Sequence, residues 1–293
     1  MPLGELRDLL ARHARPDLRT AIEDVQIMRA DRPYPPAPTT YGKVFVVVAQ
    51  GTKRCGYGET VYEYGAGQYL VASVDMPVTS HFSEAGPQRP GLGFGLTLHP
   101  AAVAEMLVDD AQAGGDAPFG LGVSETPPAL LDAVVRLLRL LDEPADIPVL
   151  APLIKREIIW RLIRGEQGAI VRQLGRSDSS LSHVGRAVRW IRDNYQRGFQ
   201  VEEAAQVAGM SLAAFYRNFQ AATAMTPIQF QKQIRLQQAR LQLAADPTDI
   251  AGVSRRVGYD SPSQFSRDYR RQFGLPPSQD TGAVRPAARR RRQ

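Results

Sequence analysis

The sequence predicts an α+β protein, in which a β-rich front part with helices precedes an all-α back part. Residues 43–99 hold short apolar runs separated by Gly and Pro, which is typical of a small β-barrel or sandwich. Residues 100–165 change to a helical period. From residue 183 to 280 only helical patterns follow, as two short helix pairs on either side of one longer helix.

Charge is spread unevenly along the chain of 293 residues, a length that favours two domains. Residues 181–293 carry 18 Lys+Arg against 8 Asp+Glu, a net charge of +10, whereas residues 1–180 carry a net charge of −4. A strongly basic back part indicates contact with a polyanion such as nucleic acid. The alternative is a basic domain that is merely soluble.

The start of the chain and its single cysteine bear on location. "MPLGELRDLLARHARPD" is charged throughout and lacks the apolar core of a secretory signal. No apolar run of about 18 residues exists, so we expect no membrane span. Cys55 alone allows no internal disulfide. These features predict a cytoplasmic protein.

The front part is predicted in order along the chain. Leu3, Leu6, Leu9 and Leu10 give a short amphipathic helix, and the Pro-rich stretch 31–42 is predicted to be extended. The expected strands are 43–51, two short ones within 59–73 around a Gly turn, 74–82 and 91–99.

Three helices are expected after His99, at 100–110, 127–143 and 148–165, each with proline near its start. The last two carry wide apolar stripes, which include Leu150 and Leu153. Such stripes either cover the barrel or form a helical contact between two subunits, and both can hold at once.

The stretch "LGRSDSSLS" is the predicted linker, because Gly, Ser and charges separate two helical runs there. The predicted organisation is a front domain at 1–173, a linker at 174–182, a back domain at 183–280 and a disordered basic tail at 281–293. The Arg run of that tail is predicted to be solvated.

The stretch 249–273 predicts a helix-turn-helix. Its first helix is capped by Asp249 and ends at Gly258, and its second begins with Ser261 at the N-cap. At 100° per residue, Phe265, Tyr269 and Phe273 form a buried stripe. The opposite face carries Ser263, Gln264, Arg267 and Arg271. Arg can bond guanine and Gln can bond adenine in the major groove.

The stretch 201–220 repeats this arrangement. Gly209 makes the turn and Ser211 caps the second helix, whose expected buried stripe is Leu212, Phe215 and Phe219. Ala213, Arg217 and Gln220 face away, and Tyr216 lies at the edge, equally suited to packing and to contact. Residues 226–246 are predicted to form the helix between the two units.

These motifs resemble the C-terminal domain of the AraC/XylS family of bacterial transcription regulators. The resemblance covers about 181–280 and rests on "AGMSLAAFYRNFQ", "IRLQQARLQL" and "VGYDSPSQFSRDYRRQFGLPP". It implies two helix-turn-helix units that enter successive major-groove segments about 34 Å apart. The DNA-contacting residues that it implies are Ser211, Ala213, Tyr216, Arg217, Gln220, Ser261, Ser263, Gln264, Ser266, Arg267 and Arg271, with Ser211, Ser261 and Ser266 on phosphates.

Residues 20–110 more loosely resemble the cupin-like N-terminal barrel of one branch of these regulators, through Q-G-x-K, Q-Y-L and V-D-x-P-V. This resemblance implies a pocket for a small-molecule effector and dimerising helices. The candidate pocket residues are Tyr41, Tyr57, Tyr62, Tyr64, Tyr69, His81 and Phe94. The alternative is that these residues simply fill a small barrel.

No enzyme motif is present, and we expect neither a metal nor a cofactor. Metal-dependent cupins need converging histidines, but the barrel region offers only His81 and His99. Lys53 and Arg54 are predicted to favour the thiolate of Cys55, which would suit an oxidant or electrophile sensor. The alternative is a buried or uninvolved thiol.

The sequence therefore predicts a bacterial, nucleoid-associated transcription regulator that binds promoter or operator DNA. Its expected partners are RNA polymerase, an unknown small-molecule effector and a second copy of the chain, with no membrane. Two alternatives remain at this point. One is a cupin-type enzyme fused to a DNA-binding module, and the other is an architectural protein that binds DNA by charge alone.

Overall fold

The computed structural model describes residues 2–33, 36–57, 60–73, 75–107, 120–175 and 180–280. The chain divides into two compact units. Unit 1 comprises residues 1–182 with 221–224, and unit 2 comprises residues 183–220 with 225–293. The predicted tail, 281–293, lies outside the described residues.

The described strands of unit 1 form two antiparallel sheets. In chain order they are β1 (Val25–Ala30), β2 (Ala37–Tyr41), β3 (Val44–Gln50), β4 (Thr52–Tyr57), β5 (Thr60–Tyr64), β6 (Gln68–Ala72), β7 (Met76–Glu84), β8 (Gly91–Thr97) and β9 (Leu121–Glu125). One sheet has the order β1-β8-β3-β6-β9, and the other has the order β2-β7-β4-β5.

Aromatic side chains fill the interior of unit 1. The ring of Phe45 on β3 lies 5.5 Å from that of Tyr69 and 6.1 Å from that of Phe94, in edge-to-face geometry. All three side chains are buried. Phe82 of the four-stranded sheet lies against Gly91 of the five-stranded sheet, where an added Cβ would come within 2.5 Å of its ring. The two sheets therefore share one apolar interior.

The helices of unit 1 are α1 (Pro2–His13), α2 (Pro100–Leu107), α3 (Pro128–Arg139), α4 (Ile147–Arg164) and α5 (Gly168–Leu174), with a 3-10 turn at Pro144–Asp146. Helix α1 buries Leu6, Leu9 and Leu10 and packs on α3 and on β1, β3 and β8. Helix α3 packs on α4, and α5 packs on α2, α4 and β6. The helices thus bury apolar stripes on each other and, for α1 and α5, on the strands.

The stripe of α4 is only partly covered. Ile158, Leu162 and Ile163 are buried, but Leu150 and Leu153 are exposed, together with Val149 and Trp160. Leu153 has 61% of its surface exposed and Val149 has 66%. The sequence placed Leu150 and Leu153 in one apolar stripe and left open whether it covers the barrel or contacts a second subunit; within the chain these two residues contribute to an open apolar face. We call Val149, Leu150, Leu153 and Trp160 the α4 face.

Unit 2 is helical throughout its described part. Its helices are α6 (Ser180–Asp193), which begins within unit 1, α7 (Val201–Ala208), α8 (Leu212–Thr223), α9 (Pro227–Ala245), α10 (Ile250–Arg256) and α11 (Pro262–Phe273). A capping box between Thr226 and Gln229 starts α9. One side of α9 packs on α10 and α11 through a buried cluster that includes Leu236, Leu243, Val253, Val257, Phe265 and Tyr269.

Several elements differ from those predicted. The stretch 31–42 is not only extended, because Ala37–Tyr41 pairs with β7 as strand β2. Strands β1, β4 and β9 were not predicted. Helix α2 ends at Leu107 in the described chain, and residues 108–110 of the predicted helix lie outside it.

The predicted linker, 174–182, is shorter in the structure. Leu174 is the last residue of α5 and Ser180 is the first residue of α6, so both ends are helical. Residues 176–179 lie outside the described chain. The domain boundaries themselves stay predictions.

The predicted α+β class is confirmed by sheets in the front part and helices in the back part. None of the described helices combines the length and the apolar character that a membrane crossing requires.

Candidate functional site

The first helix-turn-helix unit consists of α7, a turn at Gly209 and α8. Gly209 has a left-handed backbone with φ of +67°, and its N–H closes the end of α7. The backbone N–H of Ala214 donates to the Ser211 hydroxyl at 3.4 Å, so Ser211 caps α8 as predicted. From α6, Arg186 donates to the Ala208 carbonyl at 3.1 Å, which ties that helix to the turn.

Helix α8 has one buried and one open side. Phe215 and Phe219 are fully buried, and Phe219 lies 5.4 Å from the ring of Phe230 on α9. The predicted DNA-contacting residues of this unit are all exposed: Ser211, Ala213, Tyr216, Arg217 and Gln220. Among the described residues, no hydrogen bond or ion pair involves the side chains of Tyr216, Arg217 or Gln220. This face is therefore open for an external partner.

Leu212 does not belong to the buried stripe, because 39% of its surface is exposed. It is the first residue of α8, and a helical side chain points back toward the N-terminus. Leu212 therefore extends past the packed turns. This prediction was wrong.

The second helix-turn-helix unit consists of α10, a turn at Gly258 and α11. Asp249 caps α10 by accepting from the N–H of Gly252 at 2.9 Å. Gly258 has φ of +91°. Ser261 caps α11 by accepting from the N–H of Gln264 at 3.3 Å, and Pro262 follows it in the first turn. The local chemistry of the start and the turn is the one predicted.

The buried side of α11 is aromatic. Phe265 and Tyr269 are fully buried, and successive rings from Tyr259 to Phe273 lie 4.5 to 5.5 Å apart in edge-to-face contacts. Phe273 is half-buried against the same cluster. This packing fixes which side of α11 faces outward.

The outward side of α11 carries a bonded network. Ser261, Ser263, Arg267 and Arg271 are exposed, whereas Gln264 and Ser266 are half-buried. Arg267 donates from Nη2 to Gln264 Oε1 at 2.8 Å. Arg271 donates from Nη2 to Asp268 Oδ1 at 2.7 Å. Three of the four side chains that the sequence placed on the open face, all but Ser263, are thus held by contacts within the helix.

Asp268 is a buried carboxylate beside the candidate contacts that the sequence reasoning missed. It is only 1% exposed, and its Oδ2 lies 3.0 Å from Lys232 Nζ of α9. Burial alone would raise the pKa of Asp268, but hydrogen bonds from Gln264 and Lys232, with the charges of Lys232 and Arg271, hold it below its usual range. Asp268 follows Phe265 by three residues, so its place beside the buried stripe was visible in the helical period.

Helix α9 also joins the first half of unit 2. Gln231 donates to the carbonyls of Tyr195 and Arg197 at 3.1 and 2.6 Å, and Arg235 Nε donates to the Tyr195 carbonyl at 2.7 Å. Free carbonyls after α6 are thereby satisfied by side chains of α9. The contact of Phe230 with Phe219 of α8 and the cluster around Phe265 make α9 the common support of both helix-turn-helix units.

The candidate pocket residues of unit 1 fall into two groups. Tyr69 and Phe94 lie in the five-stranded sheet and pack on Phe45. The other candidates, Tyr41, Tyr57, Tyr62, Tyr64 and His81, lie in the four-stranded sheet. Tyr57 and Tyr64 are buried, whereas Tyr41, Tyr62 and His81 are half-buried. Tyr41 and Ser80 share a hydrogen bond of 2.8 Å.

Of the two interpretations of Cys55, the buried thiol is confirmed, and the expected preference for the thiolate is wrong. The thiol is fully buried, and burial raises its pKa to about 12 although the charge of Lys53 acts in the opposite direction. The thiolate is therefore disfavoured, because the apolar interior outweighs the neighbouring cation. A reactive sensor needs an accessible thiolate.

The burial of Lys53 was also missed by the sequence reasoning. Lys53 points inward beside Cys55 and Tyr57 along β4, and only 3% of its surface is exposed. Side chains alternate between the two faces of a strand, so in "TKRCGY" the side chain of Lys53 shares a face with Cys55 and Tyr57, and this pattern could have indicated its burial. Within the described part of the chain, no three His, Cys, Asp or Glu side chains converge as metal ligands.

The fold and the candidate site define a class: a two-unit protein whose helical part carries two helix-turn-helix units on one supporting helix. Residues 21–170 match the model of the AraC-type transcriptional regulator N-terminus, and residues 204–281 match a helix-turn-helix domain. The first match alone covers half of the chain. The chain belongs to the AraC family of transcriptional regulators.

Among curated proteins, the virulence regulon transcriptional activator VirF of Yersinia enterocolitica is 27% identical over 179 residues, 59% of this chain and 64% of VirF. The transcriptional activator RhaS of Klebsiella pneumoniae is 22% identical over 179 residues, 60% of this chain and 62% of RhaS. The matches thus span less than two thirds of the length of these relatives.

Among solved structures, ToxT from Vibrio cholerae has a TM-score of 0.56 at 8% identity, covering 88% of this chain and 98% of ToxT. A ToxT structure with a bound unsaturated fatty acid has a TM-score of 0.53 at 10% identity, covering 88% and 94%. At such identity the likeness shows a shared fold.

Proposed function

We propose that this protein is a sequence-specific DNA-binding transcription regulator, and that α8 and α11 enter successive major-groove segments of promoter or operator DNA. The observation that carries the proposal is the open polar face of each helix, set by a buried aromatic stripe on its other side. Helix α9, which supports both, is 19 residues or about 28 Å long, comparable with the helical repeat of DNA.

The proposed contacts fall into two kinds. Ala213, Tyr216 and Arg217 on α8, and Ser263, Gln264 and Arg267 on α11, are the proposed base contacts. Ser211, Ser261 and Ser266, with Gln220 and Arg271, are the proposed backbone contacts. Because Ala213 is small, we propose that α8 contacts fewer bases than α11.

Sequence selection with the full-length chain tests this proposal. Random duplexes are enriched for binding in the presence of excess competitor DNA, and affinity for the selected site is then measured by fluorescence anisotropy at several salt concentrations. We expect a site with two half-sites about one helical turn apart, bound at least ~1000-fold more tightly than random DNA. Equal affinity for all sequences with a steep salt dependence would instead identify an architectural DNA-binding protein.

We also propose that the protein works as a homodimer through the α4 face. Val149, Leu150, Leu153 and Trp160 follow helical spacing on α4 and are exposed in the single chain. Exposed apolar side chains grouped on one side of a helix are typical of an interaction site. Because dimers with a twofold axis use the same patch on both subunits, a single helix face suffices.

The dimer is tested by sedimentation of the full-length wild type and of Leu153→Glu. We expect the wild type to sediment as a dimer and Leu153→Glu as a monomer, because a charge would be buried at the contact. Val61→Glu is the matched control, since Val61 is 64% exposed on β5 and lies outside the α4 face. A monomeric wild type, or equal effects of both substitutions, would refute this interface.

Unit 1 is proposed to be a cupin-like regulatory domain that binds a small-molecule effector and has no catalytic role. Support comes from its match to the AraC-type N-terminal model and from the shared fold with a fatty-acid-bound ToxT. An effector acts only if it binds one state of the regulator better than another. Thermal shift of the full chain with metabolites, followed by DNA binding with each hit, tests this; turnover of a hit would favour the enzyme alternative.

Location and the transcriptional partner follow from the DNA target. We propose a bacterial, cytoplasmic and nucleoid-associated protein that acts with RNA polymerase, since both curated relatives described above are named transcriptional activators. Transcription in vitro from a promoter with the selected site, with purified RNA polymerase, tests the partner. We expect output to change when the regulator is added.

A further inference from the structure

The carboxylate of Asp268 connects the supporting helix α9 with the outward side of α11. Asp268 is only 1% exposed. Its Oδ2 lies 3.0 Å from Lys232 Nζ on α9, and its Oδ1 accepts from Arg271 Nη2 at 2.7 Å. Asp268 also accepts a hydrogen bond from Gln264, which lies one helical turn before it. A buried group is therefore bonded to a proposed base contact.

Two neighbours fix the orientation of the Gln264 side-chain amide. An ionised carboxylate has acceptors only, so Gln264 must donate to Asp268 through Nε2. At its other end, Gln264 Oε1 accepts from Arg267 Nη2 at 2.8 Å. A guanidinium has donors only, so this second bond requires the same orientation of the amide. A reversed amide would lose both bonds.

The fixed amide retains hydrogen-bonding capacity for DNA. An amide nitrogen carries two hydrogens, and an amide oxygen has two acceptor sites. Asp268 and Arg267 use one of each in Gln264, so one donor and one acceptor are left. This pair is complementary to N7 and the N6 amino group of adenine in the major groove. Arg267 keeps further N–H donors for a neighbouring guanine.

Lys232 is the partner that stays with Asp268 when DNA is bound. A buried carboxylate needs cations or hydrogen-bond donors to remain ionised. Arg271 is one such cation, but its side chain is 72% exposed and is a proposed contact to the DNA backbone. Lys232 lies on α9, and its side chain is only 38% exposed. The ion pair with Lys232 therefore does not compete with a phosphate to the same degree.

We propose that Asp268 is a positioning residue for DNA recognition, which holds the Gln264 amide in the orientation that selects adenine, and that Lys232 of α9 holds Asp268. Because Asp268 is buried, it acts through Gln264 and not by touching a base. The inference rests on the proposed sequence-specific DNA binding. It adds the base that α11 selects and the residues behind that selection.

Base preference measured at each position tests this proposal with the full-length protein. Sequence selection with the wild type defines the site, and anisotropy then gives the affinity for that duplex and for duplexes changed at single base pairs. Gln264→Ala identifies the position that Gln264 contacts. We expect the wild type to prefer adenine there by about 5- to 150-fold over the other bases.

Asp268→Asn should lower this adenine preference about fivefold or more, because asparagine can donate as well as accept and no longer fixes the amide. A merely structural role gives a different result. Loss of folded protein lowers the apparent affinity for every duplex by a common factor, so the ratio between bases stays at the wild-type value. An unchanged adenine preference in Asp268→Asn overturns the proposal.

Two controls accompany Asp268→Asn. Asp260→Asn changes an exposed carboxylate in the turn before α11 and should retain every base preference. The base preferences that Arg217→Ala assigns to α8 form an internal control and should stay at the wild-type value in Asp268→Asn. A uniform decline of preference at all positions would overturn a specific role of Asp268.

Substitution of Lys232 tests the same network from α9. Lys232→Met should lower the adenine preference as Asp268→Asn does, and Lys232→Arg, which keeps a cation, should retain it. If Lys232 instead binds a DNA phosphate, Lys232→Met weakens all duplexes equally and reduces the salt dependence, which overturns its positioning role. These variants decide the question if Asp268→Asn does not fold.

The outcomes for the wild type separate this inference from the proposed function. A selected site in which Gln264→Ala removes no adenine preference would refute the inference and leave sequence-specific DNA binding standing. Equal affinity of the wild type for all single base-pair changes would refute both.

Discussion

In the first helix-turn-helix unit the outward side chains of α8 have no internal partners, whereas in the second unit those of α11 are tied to one another. Tyr216 and Arg217 are exposed without a hydrogen bond or ion pair among the described residues. By contrast, Arg267 is bonded to Gln264, and Arg271 to the buried Asp268. Both units nevertheless share a left-handed glycine turn and a serine cap.

This difference concerns side-chain freedom. Holding a long side chain in one geometry before binding reduces the entropy that binding must remove. We therefore expect α11 to discriminate bases more sharply than α8 does. Similar scaffolds with different outward networks would give one protein two modes of contact.

Alanine substitutions in the two glycine turns should give the largest difference in stability between the units. An added Cβ at Gly258 would lie 2.0 Å from the Gln196 carbonyl oxygen, whereas one at Gly209 meets nothing closer than 3.7 Å. We expect Gly258→Ala to lower the free energy of unfolding by about 4 kcal/mol or more, through backbone strain plus the clash. Gly209→Ala should cost about 1–2 kcal/mol, from the left-handed conformation alone.

Urea denaturation followed by the helical circular dichroism signal measures both glycine variants. Unfolding of both variants at the same urea concentration would contradict the expected difference in stability. A separate early transition in Gly258→Ala would support it and assign the loss of stability to unit 2.

The buried carboxylate of α11 gives the next largest effect. We expect Asp268→Asn to lower the free energy of unfolding by about 1–3 kcal/mol at pH 7, because Lys232 and Arg271 lose a charged acceptor. Since the pKa of Asp268 is lowered by folding, its contribution is complete above the unfolded value of about 3.9 and is lost as the pH falls through the folded value.

Wild type and Asp268→Asn should therefore converge in stability as the pH is lowered below about 4. The exposed Asp260, which lies in the turn before α11, provides the matched control as Asp260→Asn. Thermal melting across a pH series measures all three proteins. A constant difference between wild type and Asp268→Asn at every pH would show that the carboxylate charge is not the source.

Substitution of Arg267 on α11 and of Arg217 on α8 compares the two units in DNA binding. Arg267→Ala should lose about 1–3 kcal/mol on the selected site and relax specificity at one base pair. Arg217→Ala should lose less and relax specificity less sharply, because the free Arg217 side chain must be ordered when it binds a base. Anisotropy titrations with the selected site and with singly substituted sites separate the two outcomes. An even loss for Arg267→Ala would reduce it to a phosphate contact.

Removal of the two serine caps should have the smallest effect on stability, and the effect should be the same in both units. Ser211 and Ser261 accept from the third following backbone N–H at 3.4 and 3.3 Å. Each change to Ala should lower the free energy of unfolding by about 1 kcal/mol. Unfolding in urea measures both, and a difference of more than that amount would mean that one serine has a role beyond capping.

Much of unit 2 was predictable because its determinants are local. Ser261, Pro262 and Gly274 bound α11 through rules that act within a few residues, and the aromatic stripe follows the helical period. The partner of Asp268 was not predictable, because Lys232 lies on another helix and only packing brings it near. The same holds for the carbonyls of Tyr195 and Arg197 that Gln231 satisfies.

Unit 1 was less predictable because strand pairing is not local. Strands β5 and β6 follow each other around a short Gly turn but belong to different sheets. Strand β4 was missed since its alternation places Lys53 and Cys55 inward, where a lysine is not expected. The candidate tyrosines were identified by type, but the sequence could not tell which of them pack on Phe45.

The strand order of unit 1 also determines when its five-stranded sheet can form during translation. Val25 on β1 pairs with Leu96 on β8, and Leu70 on β6 pairs with Val123 on β9, so the five-stranded sheet cannot close until β9 has left the ribosome. Until then, strands that have already been synthesised expose unpaired backbone N–H and C=O groups. Such strand edges can pair with other chains and cause aggregation. Unit 2, whose packing partners lie closer in sequence than those of β1 and β8, follows unit 1 and is expected to fold faster. Slow translation after β9 should therefore raise the yield of folded regulator.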